Sequence, residues 1–252
     1  MSLIVTDQKP RAALIDALDP RMRLICAFVI CVLAISLGSF AAKFLAIAAV
    51  LLLLAASGLG LGAAIKRLAH VEGFLLALLI LLPFTMPGRS IMDIGPFSVS
   101  VEGLHRAVHI VLSVNVAAIA VLALAGTLEP VRMGRALAAL GMPDKLVRLL
   151  MFVVRYQGLF GGEIRRQVEA MRARGFVPGL NRGTFRAYGH LAGMVLVASI
   201  ERAERVEEAM RCRGYTGRFP LRRIRALTSI DFVFAATVAA CCTALLVWDK
   251  TT

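Results

Sequence analysis

Five apolar runs dominate this chain, and each is long enough to cross a lipid bilayer. They cover Leu24–Ala42, Phe44–Gly62, Val71–Pro87, Ala107–Gly126 and Ile230–Trp248. About 19 apolar residues wound as an α-helix span a hydrocarbon core of about 30 Å. Lipid offers no partner to a bare amide, so such runs must close their backbone hydrogen bonds internally, as helices. The expectation is an all-α, polytopic membrane protein with about five transmembrane helices and additional long helices outside them. Composition agrees: 59% of residues are hydrophobic and only 18% are charged, whereas soluble domains carry about a quarter charged. Lys43 is the only charge between the first two runs, which predicts a tight turn there. Residues 88–106 read as a mixed loop, in which Phe97–Val101 alternates like a short strand after Gly95-Pro96.

The basic residues predict an orientation. Lys9, Arg11, Arg21 and Arg23 precede the first run, Lys66 and Arg67 separate the second from the third, and residues 129–228 hold 19 of the 29 Lys and Arg. Lys and Arg gather on the cytoplasmic side of membrane proteins, so the N-terminus and residues 129–228 are expected in the cytoplasm, with the C-terminus outside. The same rule accounts for the net charge of +13 without a nucleic-acid partner. Charges from Asp7 to Arg23 precede any apolar run, so no cleavable signal peptide is expected. Four of the five cysteines, Cys26, Cys31, Cys241 and Cys242, lie in apolar runs, Cys212 does not, and none forms a C-x-x-C pair. They read as small apolar residues, not as disulfides or metal ligands.

The chain divides by this reading into an N-terminal transmembrane region (1–128), a cytoplasmic region of long helices (129–228) and a last transmembrane helix (229–252). Glu129-Pro130 opens a short helix with an apolar stripe at Met133, Leu137 and Leu140, and Gly141-Met142-Pro143 stops it. Asp144 is placed to cap a long helix to about Arg174, and Thr184 another to about Arg213. Each would be about 45 Å long. Their first halves are nearly all apolar and their second halves amphipathic. Gly158-x-x-x-Gly162 and Gly189-x-x-x-Gly193 would let them cross closely.

Both long helices end alike. Glu169–Phe176 reads E-A-M-R-A-R-G-F and Glu208–Tyr215 reads E-A-M-R-C-R-G-Y, six of eight positions identical. Cations favour a helix C-terminus and glycine suits the position after it, so either copy alone is an ordinary helix stop. Helix stopping does not ask for the whole pattern twice. Met171 and Met210 beside Arg174 and Arg213 suit insertion into a groove rimmed by carboxylate, because the planar guanidinium binds carboxylate in bidentate fashion. The docking set is Met171, Ala173, Arg174, Gly175, Met210, Cys212, Arg213 and Gly214.

On these residues the chain resembles the transmembrane T component of energy-coupling factor transporters, the importers of vitamins and transition-metal ions. That family carries Ala-Arg-Gly signatures on two cytoplasmic coupling helices. Ala173-Arg174-Gly175 matches it, and Cys212-Arg213-Gly214 departs only by a small-for-small change. Asp19-Pro20-Arg21 is similar to the family's motif before the first span. The Met142-Pro143 turn, Arg155-Tyr156 and Gly214–Phe219 are most like the cobalt-type members. The resemblance implies a non-catalytic subunit in the bacterial inner (plasma) membrane, joining two ABC-type ATPases to a substrate-binding membrane subunit. Arg174 and Arg213 would each meet one ATPase. ATP and Mg would be bound by those partners, with no cofactor in this chain. Cobalt or nickel is the implied cargo, with a vitamin-type importer as the alternative.

No G-x-x-x-x-G-K-[ST] phosphate loop occurs. Gly58–Gly62 lacks dinucleotide-binding spacing. Glu207-Glu208 is similar to the paired glutamates of intramembrane proteases, but it falls in an amphipathic half-helix outside the spans, which favours a solvated face over an enzyme. A self-sufficient carrier would put paired ionisable groups inside its spans, and these spans hold almost none. His105 and His109, four apart near Asp93 and Glu102, are the weak candidates for a metal site, with no third ligand fixed by spacing. Asn115, alone within a span, reads as a hydrogen-bond partner for a neighbouring helix.

Overall fold

The computed structural model describes residues 18–59, 61–85, 90–94, 97–215 and 227–251. In chain order its elements are α1 (Pro20–Ser36), α2 (Phe40–Ala56), α3 (Leu61–Thr85), β1 (Ser90–Ile94), β2 (Phe97–Ser100), α4 (Val101–Leu124), α5 (Pro130–Ala139), α6 (Asp144–Ala173), α7 (Arg182–Cys212) and α8 (Ser229–Thr251). The fold is all-α apart from one antiparallel hairpin, in which Ile94 pairs with Phe97 and Asp93 with Ser98. Contacts group the chain into two compact units, Met1–Ala136 with Arg225–Thr252, and Leu137–Ile224.

The first unit packs α4 against α1, α2 and α3, and α8 against α1 and α2. Alanine is common in its interior, beside Leu37, Val116 and Leu124, and many of its large apolar side chains face outward. Ala27, Ala34, Ala42, Ala46, Ala120 and Ala123 are buried, while Phe28 is 71% and Ile35 78% exposed. A protein in water sorts its residues the other way. Between helices in lipid, small side chains let backbones approach, and bulky ones meet acyl chains at no cost. Among the described residues α4 and α8 are long and apolar enough to cross a membrane, and Phe40–Ala56 and Glu72–Thr85 are shorter apolar segments.

Polar side chains fasten the ends of this unit. Asp19 caps α1, accepting the Arg21 N–H at 2.9 Å, and Pro20 takes the first helical position. Asp231, buried near the start of α8, accepts the Asp19 N–H at 2.7 Å with one oxygen and the Thr228 N–H at 2.8 Å with the other. Arg23 is buried, its Nε donating to the Leu124 carbonyl at 3.0 Å and its guanidinium to the Thr127 hydroxyl. A cation thus closes the negative end of α4. At the opposite end of α8, Asp249 accepts the N–H groups of Gly38 (2.9 Å) and Ser39 (2.7 Å), tying α8 to the break before α2, where the Ser39 side chain gives no cap. The starts of α1 and α8 therefore share one end with the close of α4. The close of α1, the start of α2 and the close of α8 share the other.

Several expected boundaries moved. The first break falls at 37–39, not at Lys43. Lys43 lies inside α2, completely buried. Its ammonium donates to His109 Nδ1 (2.7 Å), the His109 carbonyl (2.9 Å) and the Ser113 hydroxyl, so all three donors are used. Gly38-Ser39 breaks the chain instead, leaving α1 and α2 with 17 residues each. Lys66 and Arg67 occupy helical positions in α3 and not a connecting loop. The fourth apolar helix starts at Val101 and not Ala107, because the Ser100 hydroxyl accepts the Gly103 N–H at 3.1 Å and caps it. The strand expected at Phe97 is β2.

Candidate functional site

The second unit is built on α6 and α7, of 30 and 31 residues. Asp144 is the first residue of α6 and not its cap, a position held by Pro143 without a side-chain bond. An acid there still favours the positive end of the helix. At α7 the cap is Asn181, not Thr184. Asn181 Oδ1 accepts the Thr184 N–H at 2.8 Å, and the Thr184 hydroxyl accepts the Gly179 N–H at 3.1 Å. An Asn outranks a Thr in this role, and Thr184 serves as its brace.

Both helices stop by the same bonds. At α6 the Gly175 N–H donates to the Arg172 carbonyl (3.0 Å) and the Phe176 N–H to that of Met171 (3.1 Å). At α7 the Gly214 N–H donates to Arg211 (2.9 Å) and the Tyr215 N–H to Met210 (3.0 Å). This is the Schellman pattern, with glycine in the left-handed region at φ +84° and +79°. It commonly joins an apolar residue three from the cap to one two beyond it. Those places are held by Met171 with Phe176 and by Met210 with Tyr215, all four half-buried. The two methionines of the expected docking set therefore serve the helix stop, each paired with an aromatic at a spacing of five that sequence reasoning overlooked.

The arginines have no such explanation. A third stop, at α5, uses the same two bonds, Gly141 N–H to Ala138 and Met142 N–H to Leu137, with Gly141 at φ +96°. Its sequence, Leu137-Ala-Ala-Leu-Gly-Met142, has no cation. Stopping a helix in this protein thus does not require Arg-x-Arg. Arg172, Ala173, Arg174 and Gly175 are all exposed, as are Arg211, Cys212, Arg213 and Gly214. Arg211 pairs with Glu207 at 2.5 Å. Among the described residues the side chains of Arg174 and Arg213 make no hydrogen bond or ion pair.

The two helices run antiparallel. The Phe176 ring, just past the end of α6, meets Tyr188 of α7 edge-on at 5.7 Å. Arg148, near the start of α6, donates to the hydroxyl of Tyr215, just past the end of α7, at 3.1 Å. Midway, the Arg166 guanidinium on the Glu163 carboxylate (2.7 Å) holds that carboxyl below the usual range, with a smaller pull from Arg202 of α7. The tips therefore lie at opposite ends of the pair, separated by the rise from Tyr188 to Cys212, about 36 Å. Gly158, Gly189 and Gly193 face open space, with nothing within 4 Å of an added Cβ, so the GxxxG spacings do not make the close crossing expected of them. Large apolar side chains remain exposed on this unit, Leu149, Val153, Leu196 and Leu180 (99% exposed) among them.

The remaining candidates are accounted for locally. His109 Nδ1 accepts from the Lys43 ammonium, which has no lone pair to give. The ring proton therefore sits on Nε2, 3.0 Å from the Gly38 carbonyl it donates to. Both ring nitrogens are engaged. His105 stacks on His109 at 6.5 Å and meets Phe40 edge-on. Among the described residues no three His, Cys, Asp or Glu cluster as metal ligands. Glu207 and Glu208 are exposed on α7, and Asn115 donates to the Val111 carbonyl of its own helix at 3.1 Å, not to a neighbouring helix.

Comparison with known proteins gives matches over most of the chain. Three bacterial relatives align over most of their length. An energy-coupling factor transporter transmembrane protein of Listeria monocytogenes serotype 1/2a (strain 08-5578) is 25% identical, over 94% of this chain and 92% of its own. One from Thermosediminibacter oceani is 23% identical over 91% of each chain, and one from Macrococcus caseolyticus is 22% identical over 82% and 83%. The family model described as "cobalt transport protein" (CbiQ) matches residues 12–223, which include both tips. The chain belongs to the cobalt transport protein family.

Proposed function

We propose that this chain is the transmembrane coupling subunit of an ATP-driven energy-coupling factor importer, a transport component and not an enzyme. The observation that carries the reading is the pair of identical helix stops whose arginines the stop itself does not use, set about 36 Å apart. Such spacing suits two sockets on two ATPases. Arg174 enters one and Arg213 the other, each guanidinium forking onto a carboxylate at the rim. Ala173 and Cys212 keep the approach narrow. ATP and Mg sit in the partner ATPases, consistent with the lack of a phosphate loop in this sequence. Closure of the ATPases draws on the tips, and the long helices carry that displacement toward the spans and the substrate-binding membrane subunit.

The reading places the protein in the bacterial inner membrane as a multi-pass chain, with the start of α1 and both tips in the cytoplasm. Cobalt is the proposed cargo, supported by the family description. The relatives' names mention no cargo, so a vitamin-type importer is the competing outcome. The test is Arg174→Glu with Arg213→Glu in the assembled transporter. Charge reversal should abolish ATPase co-purification and uptake of radiolabelled cobalt while leaving the chain in the membrane. Persistence of both would end the docking assignment. Cobalt uptake absent in a wild-type assembly that keeps its ATPases would end the cargo assignment alone.

A further inference from the structure

We propose that Phe176–Tyr188 and Arg148–Tyr215 form a reciprocal clamp, by which each tip is held against the root of the opposite helix and the two tips move as one frame. The geometry stands on four residues of one unit. Phe176 and Tyr215 occupy the same place in the two Schellman stops, one residue beyond the left-handed glycine. Two backbone bonds at each stop fix that aromatic relative to its arginine. Phe176 then rests on Tyr188 at 5.7 Å with the rings at 87°. Tyr215 instead takes a hydrogen bond from Arg148 at 3.1 Å. Tyr188 and Arg148 both lie in the second turn of their helices.

Neither α6 nor α7 contains a proline, so no such break separates root from tip in either. Root and tip of one helix, joined by clamps to tip and root of the other, close a loop with four corners. Pulling either arginine tip inward then strains the far corner as well as the near one. With the docking reading of the tips, this makes Tyr188, Arg148, Phe176 and Tyr215 positioning residues. They set the spacing that two ATPases meet and pass the motion of one to the other.

The chain supplies its own control for folding. Phe at the place of Tyr215 is what the first tip already has, so Tyr215→Phe keeps the stop and removes only the hydroxyl that Arg148 holds. Spin labels on Ala173→Cys and the native, exposed Cys212, with the other four cysteines replaced by Ala, report the spacing by pulsed electron resonance in nanodiscs. The expected distribution is a single peak near about 36 Å, which Tyr215→Phe and Tyr188→Leu each broaden. In the assembled transporter Tyr215→Phe should still co-purify with the ATPases, but ATP hydrolysed per ion imported should rise, the closed clamp losing about fivefold in its equilibrium for one lost hydrogen bond. An unchanged distribution overturns the clamp. So does loss of the ATPases from Tyr215→Phe, which would make the hydroxyl a docking contact. If the wild-type chain brings down no ATPase, the docking reading falls and the distance measurement alone decides the clamp.

Discussion

Replacing Gly175 by alanine tests how much the tip depends on one backbone torsion. Gly175 sits at φ +84°, and nothing lies within 4 Å of the Cβ that alanine would add. No collision contributes, so the cost is that of holding an L-residue left-handed, about 1–2 kcal/mol. The narrower unfolded ensemble of alanine returns about 0.4–1 kcal/mol of that when the tip opens. The net, about 1 kcal/mol, raises the local opening equilibrium about fivefold. The reporters are the amides of residues 175 and 176, which donate to Arg172 and Met171. Hydrogen exchange at both should quicken about fivefold, while amides in the middle of α6 keep their rates. Gly214→Ala should do the same at α7. Gly175→Asn should do less, since asparagine tolerates this region better. Equal exchange in glycine and alanine, or an asparagine as disruptive as alanine, would show that relief of torsion is not why glycine stands there.

Three more outcomes follow. Gly103→Ala should destabilise the first unit by about 1–3 kcal/mol, because its Cβ would lie 2.9 Å from the Pro83 Cα and 3.1 Å from the Leu82 carbonyl. Gly73→Ala, which meets nothing within 4 Å, should not, and thermal unfolding in detergent separates them. Lys43→Met should cost about 1–3 kcal/mol by leaving His109 Nδ1 without its donor, and a raised melting temperature would show that burying the ammonium outweighs its bonds. Glu163 should titrate below the ordinary glutamate range and move upward in Arg166→Gln, read by side-chain carbon chemical shifts. Because its folded value is lowered, its small contribution is present above the ordinary carboxylate value and fades as pH falls through the lowered one; an unchanged value in Arg166→Gln would refute the pairing.

Much of the architecture was legible because apolar runs and helix stops are local signals. Pro130 opened α5, Gly141 closed it, and Gly175 and Gly214 marked the ends of α6 and α7. The misplaced span boundaries share one cause, that a charge was assumed to mark a boundary. Lys43, Lys66 and Arg67 sit within helices, and Lys43 does so because α4 brings three acceptors to it. No reading of the local sequence shows an acceptor more than 60 positions away. Caps failed similarly, since Asp144 and Thr184 had better-placed neighbours at Pro143 and Asn181. At the tips the arginines were legible as a repeated pattern. The contacts of Phe176 and Tyr215 were not, because they depend on the antiparallel course of two helices.

The last helix is latched at both extremities, by Asp231 to the backbone of Asp19 and by Asp249 to that of Gly38 and Ser39. Its length is therefore under tighter control than its composition. One residue inserted between Val233 and Val247 would carry Asp249 about 1.5 Å along the axis and swing it about 100° around it, out of reach of both amides. Exchanges among bulky apolar residues on its outer surface leave both latches untouched. In this segment the count of residues matters more than the wording of its outer face.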